Sequence, residues 1–130
     1  MPAERVPLAL HLDPLSAVER ALWDRYVELV EAAGPSELTV TKSQFAWRTP
    51  HRRFTGGFFK SRRLELWFDL PEPVPEAERD DRFREVWQMP HAWVHRLKIE
   101  RPDQLGEDVG RWIAEAYTFL AKPAAERSAR

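Results

Sequence analysis

Cysteine is absent from this chain of 130 residues. That excludes disulfides and thiol catalysis and suits a reducing compartment. Long apolar runs are also missing. None approaches the roughly 18 to 20 residues needed to cross a bilayer, so no membrane partner is expected. The start, Met1-Pro2-Ala3-Glu4-Arg5, lacks a basic segment followed by an apolar run and does not read as a signal peptide. Charge of one sign is lacking overall: the net value is −1 at pH 7, which argues against binding nucleic acid or membrane by bulk electrostatics. Gly56-Gly57 has neither the spacing, the lysine nor the strand-to-helix setting of a phosphate loop. No spacing in the chain assembles a histidine, a carboxylate and a nucleophile. The expectation is a cytoplasmic domain without cofactor or metal, more readily a binding module than an enzyme.

What is present suffices for a core. Hydrophobic residues make up 43% of the chain and six are tryptophan. The length fits one domain, which buries roughly two-thirds of the surface of its unfolded chain. Residues 1–12 read as an irregular or extended arm, 13–122 as the domain, and 123–130 as a disordered tail. Asp13-Pro14 suits a helix start, with Ser16 and Glu19 as an alternative capping box one turn later. Leu15, Val18, Leu22, Tyr26, Leu29 and Ala33 then recur at three- and four-residue spacing. Gly34-Pro35 stops this helix, with Gly34 in a left-handed conformation.

Alternation predicts strands at 37–41, 44–48, 52–60 and 64–69, then a last strand at 93–99. Gly56-Gly57 suggests a bulge or a close approach by another backbone. Lys60-Ser61-Arg62 reads as a tight hairpin connection. Residues 71–81 form a loop with three prolines and many acids, and 83–89 fits either a short strand or an irregular segment. A final helix opens near Pro102-Asp103 with the stripe Leu105, Val109, Trp112, Ile113, Ala116, Tyr117 and Leu120, and ends at Pro123. Gly106 and Gly110 allow it to pack closely on the sheet. The order helix, strands, helix predicts an α+β fold with an antiparallel sheet of about five strands and both helices on one face. The opposite face would carry Glu65, Trp67, Asp69, Arg96 and Lys98.

Several stretches together resemble the domain of unknown function 5655 family, a small bacterial domain. They are Thr41-Lys42-Ser43, Arg53-Phe54, Leu64 to Pro71, His91 to Ile99, and Trp112-Ile113 with Glu115-Ala116-Tyr117. The resemblance runs from Thr41 to Tyr117 and extends to the first helix. Domains of that family occur alone and as C-terminal modules of proteins labelled predicted transport proteins. The resemblance implies the fold and carries over no catalytic residue. The glycine pair and the extra arginines of the hairpin depart from the family pattern.

The strongest local signal is basic. Lys42, Arg48, Arg52, Arg53, Lys60, Arg62 and Arg63 fall between Thr41 and Leu64 with no acid among them, and Trp47, Phe54, Phe58 and Phe59 are interleaved. Arginine forks bind phosphate and exposed aromatics stack bases. A binding site for an anionic partner, nucleic acid or a phosphorylated ligand, is therefore expected at Trp47, Arg52, Arg53, Lys60, Arg62, Arg63 and Trp67. The bland alternative makes the aromatics core and the charges a solvated edge that blocks strand pairing. The acidic run Glu72, Glu76, Glu78, Asp80, Asp81 and Glu85 could fold over the hairpin and neutralise it. The enzymatic alternative is a small hydrolase or transferase using Glu65, Asp69, His91 and His95. On a strand, His91 and His95 would share a face but lie about 13 Å apart, too far to chelate one metal. His95 has the parity of core residues. Glu65 and Asp69 are expected to pair with Arg96 and Lys98 across the sheet. A third expectation is assembly, through the open face or a strand edge, into a homodimer or with another protein.

Overall fold

The computed structural model describes residues 4–128. Its N-terminal arm is neither loose nor fully extended. Arg5 bridges Thr41, and the Val6 amide donates to the Val40 carbonyl at 3.0 Å. One helical turn, α1 (Ala9–Leu12), follows, and the His11 ring sits 2.7 Å from the Thr41 carbonyl and edge-on to Phe45. The arm thereby covers part of the outer sheet edge.

Ser16, rather than Asp13, caps the long helix α2 (Ala17–Ala33). Its hydroxyl accepts from the Glu19 amide while the Glu19 carboxylate accepts from the Ser16 amide, which satisfies two orphan donors at once. The buried stripe is Leu22, Trp23, Tyr26, Leu29 and Val30; Val18, expected in it, is 57% exposed. Gly34 ends the helix at φ 147° and ψ 173°. That region is open to glycine alone, and it differs from the left-handed conformation expected. A Cβ there would lie 2.6 Å from the Tyr117 ring.

Six strands follow: β1 (Glu37–Val40), β2 (Phe45–Arg48), β3 (Arg53–Lys60), β4 (Arg63–Leu70), β5 (Phe83–Met89) and β6 (Ala92–Ile99). They form one antiparallel sheet in the order β1-β2-β3-β4-β6-β5. The count is six because 83–89, ambiguous in sequence, pairs with β6 as an edge hairpin. Its apolar residues are too few and too exposed to give a clear alternation. The bulge lies between Trp47 and Arg48 opposite β3, not at the glycines. It lets the consecutive residues Phe54 and Thr55 both reach the helical layer: Phe54 packs edge-on against Tyr117, and the Thr55 hydroxyl meets the Tyr26 hydroxyl at 2.7 Å.

Helix α3 (Glu107–Leu120) begins after a short 3₁₀ turn (Pro102–Gln104). Its glycine gap serves the other helix, since a Cβ on Gly110 would stand 3.1 Å from Leu29 of α2. Both helices lie on one face of the sheet. The core between them holds Phe45, Trp47, Leu64, Leu66, Phe68, Leu97 and Ile99 from the strands with Leu22, Tyr26, Trp112 and Ile113 from the helices. Each such side chain contributes roughly 1.5–3 kcal/mol on burial.

Within the acidic run, Glu78 and Asp80 are drawn toward α3, while Glu85 reaches Arg96 at 3.7 Å and Glu72 lines a pocket with Arg52. Arg82 binds Asp80 at 2.9 Å and Asp108 of α3 at 2.5 Å, and Glu78 approaches Arg111. The tail forms a short helix, α4 (Ala124–Ser128), where disorder was expected. The expectations for residues 1–3 and 129–130 lie outside the described residues.

Candidate functional site on the open sheet face

Alternation in β4 and β6 sends Glu65, Trp67, Asp69, Val94, Arg96 and Lys98 to the face without helices. Phe58 of β3 joins them opposite Glu65. On this face lies a cleft of about 530 Å³, lined by Gln44, Arg48, His51, Arg52, Arg53, Phe58, Trp67, Asp69, Trp87, Met89, His91, Val94 and Arg96.

Trp67 forms a fixed part of it. Its indole N–H donates to Gln44 Oε1 at 3.0 Å, and its ring lies over Gly56. Trp87 and Met89, on the edge strand β5, are 37% and 41% exposed. Both line the cleft from its outer edge.

Three of the four arginines lining the cleft come from β2, β3 and their connection; the fourth, Arg96 of β6, is paired with Glu65 and Glu85. Thr49, buried, shapes the β2–β3 connection: its hydroxyl accepts from the amides of His51 and Arg52 and donates to the Leu120 carbonyl at 2.7 Å. The loop is thus tied to the end of α3. Arg48 donates to the Thr49 and Pro50 carbonyls. Arg52 and Arg53 are exposed, and among the described residues Arg48, Arg52 and Arg53 make no ion pair with a carboxylate.

Asp69 is the buried anion of the cleft, only 4% exposed. Its Oδ2 lies 2.8 Å from His91 Nε2, while Oδ1 has no hydrogen-bond partner among the described residues. Burial pushes its carboxyl above the usual range, against the bond to His91 and the positive fields of His91, Arg52 and Arg53. His91 stands in the β5–β6 turn rather than on a strand, which is how it reaches Asp69.

Glu65 serves a different purpose at the other end of the face. It is 1% exposed, with Arg63 at 2.5 Å, Arg84 at 3.1 Å and Arg96 at 3.5 Å. Burial raises its carboxyl, but hydrogen bonds and charge from Arg63 and Arg84 outweigh that and hold it below the usual range. Of the expected pairings, Glu65 with Arg96 is present and Lys98 is its register partner, whereas Asp69 lies opposite Val94 and pairs with His91 instead. His95 faces the helices, wholly buried and stacked on Phe68. Burial lowers its pKa to about 4.

Of the residues singled out in sequence, the fold gathers Arg52, Arg53 and Trp67 with Asp69 and His91. It leaves Trp47 in the core and Phe59 packed beneath the helices. Lys60 and Arg62 stand at the tip of the β3–β4 hairpin, six strand residues or roughly 20 Å from Asp69. Arg63 is spent on Glu65. Sequence reasoning passed over Trp87 and Met89, whose shared parity signals the open face only once 83–89 is a strand. Among the described residues no helix is long and apolar enough to cross a membrane, and no three histidine or carboxylate groups gather as metal ligands. Compared with protein-family models, curated proteins and solved structures, the chain matches none.

Proposed function

We propose that the open face of the sheet binds a nucleotide unit, free or within a single strand of nucleic acid. Membership of the family that the sequence resembles remains part of the same proposal. The observation that supports the reading is the set of arginines 48, 52 and 53, which form no ion pair among the described residues, around a cleft that also holds Trp67 and Trp87. Guanidinium forks bind phosphate with directed hydrogen bonds. Indole faces stack any base, at about 1–3 kcal/mol each. Trp67 is held by Gln44 before the ligand arrives, so little ordering cost remains. Net charge near zero is compatible with this, because two acids of the loop, Asp80 and Glu78, are engaged with Arg82 and with Arg111 of α3.

The test is titration with a fluorescent deoxyribo-oligonucleotide and with mononucleotides at low salt. Replacing Arg52 and Arg53 by glutamine is expected to abolish binding with little change in thermal midpoint. Replacing Lys60 and Arg62 should leave it intact. Unchanged binding by the Arg52/Arg53 variant would sink the reading.

The Asp69–His91 pair favours a second reading, a small hydrolase acting on the same ligand with His91 as general base toward water. Glu65 and His95 drop out of it, the first neutralised by arginines and the second on the other side of the sheet. Turnover of phosphate esters that disappears in His91→Gln would support this reading over simple binding.

A further inference from the structure

Nearly every polar side chain lining the cleft is a donor, as the arginines show. Gln44 gives its carbonyl to Trp67. Asp69 is the exception, and only half of it is used. One oxygen is fixed by His91; the other is buried and has no partner among the described residues. A buried acceptor left without a donor is costly, and native interiors keep few of them. In this cleft the unmet acceptor beside Arg52 and Arg53 is the place for a donor that arrives with the ligand.

We infer that Asp69 Oδ1 accepts a hydrogen bond from an N–H group on the ligand's heterocycle, so that the cleft selects phosphate-bearing ligands whose base carries such a donor. This rests on the nucleotide reading above. The division of labour follows the geometry. Asp69 and Trp67 are two apart on β4 and so point to the same face. In the inferred pose a base stacked on Trp67 turns one edge toward Asp69. The phosphate, on its sugar, reaches outward to the exposed Arg52 and Arg53. His91 acts as a positioning residue: it holds Oδ2 and thereby fixes where Oδ1 lies.

Sites built to hydrogen-bond a ligand N–H reject the analogue lacking it, because the site's own group is then left buried without a partner. The experiment compares adenosine 5′-monophosphate with purine riboside 5′-monophosphate and N6,N6-dimethyladenosine 5′-monophosphate, neither of which has a base N–H. Ribose 5-phosphate serves as the baseless control. All are titrated calorimetrically into the native protein. Adenosine monophosphate is expected to bind at least about tenfold more tightly than the two analogues. In Asp69→Leu that preference should vanish while the weak affinity for ribose 5-phosphate remains.

Should that variant fail to fold, His91→Gln provides the second arm, with the preference reduced and the Arg52/Arg53 contribution kept. Equal binding of all three nucleotides, lost on replacing Arg52 and Arg53, overturns the role of Asp69 and leaves the nucleotide reading standing. No binding of any probe, a single-stranded oligonucleotide included, overturns both.

Discussion

Gly56 and Trp67 face each other across the β3–β4 pair, and the indole occupies the space that a side chain at position 56 would need. A Cβ on Gly56 would come within 2.9 Å of Trp67 Cζ2 and 2.6 Å of the Phe45 carbonyl oxygen. The second neighbour is backbone and cannot swing aside. Gly56→Ala should therefore part β2 from β3, displace the indole from Gln44, and cost about 1–3 kcal/mol by overpacking. The measurement is the urea midpoint together with the tryptophan emission maximum. A red shift is expected in Gly56→Ala and should be absent when Trp67 is already phenylalanine. An unchanged midpoint would mean that the strands tolerate the extra carbon.

Buried His95 makes stability depend on pH. Its Nε2 accepts from the Val74 amide at 3.0 Å and its Nδ1 donates to the Trp93 carbonyl, a pattern that requires the neutral ring. Burial holds its pKa near 4 in the folded chain, against the ordinary value of 6.5 when unfolded. Between those values the unfolded chain takes up a proton that the native chain refuses, so stability rises with pH through this window and levels off above it. The contribution falls by about 2 kcal/mol on going from pH 7.5 to pH 5. Urea titrations at several pH values should show this slope in the native chain and a flatter one in His95→Gln. Parallel slopes would assign the proton to another group.

The β3–β4 hairpin turns through Ser61 and Arg62, both at positive φ, 52° and 64°. Two consecutive left-handed residues define the turn that matches strand twist, and asparagine followed by glycine suits it best. A non-glycine side chain there costs roughly 1–2 kcal/mol per residue. Ser61→Asn with Arg62→Gly should accordingly raise stability by about 1 kcal/mol or more, read as an upward shift of several degrees in Tm. The same double variant should leave ligand binding untouched, since the tip stands far from the cleft. A lower Tm would show that Arg62 contributes packing or charge that outweighs its backbone cost.

The helix stripes and the strong alternation of β4 were legible because each is a local pattern repeated over several turns or pleats. The two-layer arrangement followed from them. What could not be read was set by partners distant in the chain. The 83–89 segment becomes a strand only because β6 offers its edge. His91 turns from a strand residue into the partner of Asp69 because the β5–β6 hairpin reverses at Pro90-His91. The basic run looked like one patch in sequence, yet a hairpin separates its two ends along the length of the sheet, so that Arg52 and Arg53 belong with Trp67 while Lys60 and Arg62 do not. Trp47 went to the core because its parity matches Phe45, which a charge count ignores.

The clamp formed by Arg82, Asp80 and Asp108 has a consequence for that cleft. Acids a few tens of residues along the same chain are tethered rivals for any cationic site, with an effective concentration that reaches the millimolar range for a flexible connection. Held to α3, the acids at 78 and 80 are withdrawn from this contest. An incoming anion then meets two fewer tethered rivals, with Glu85 at Arg96 and Glu72 beside Arg52 the acids of that run still within reach of the cleft's arginines.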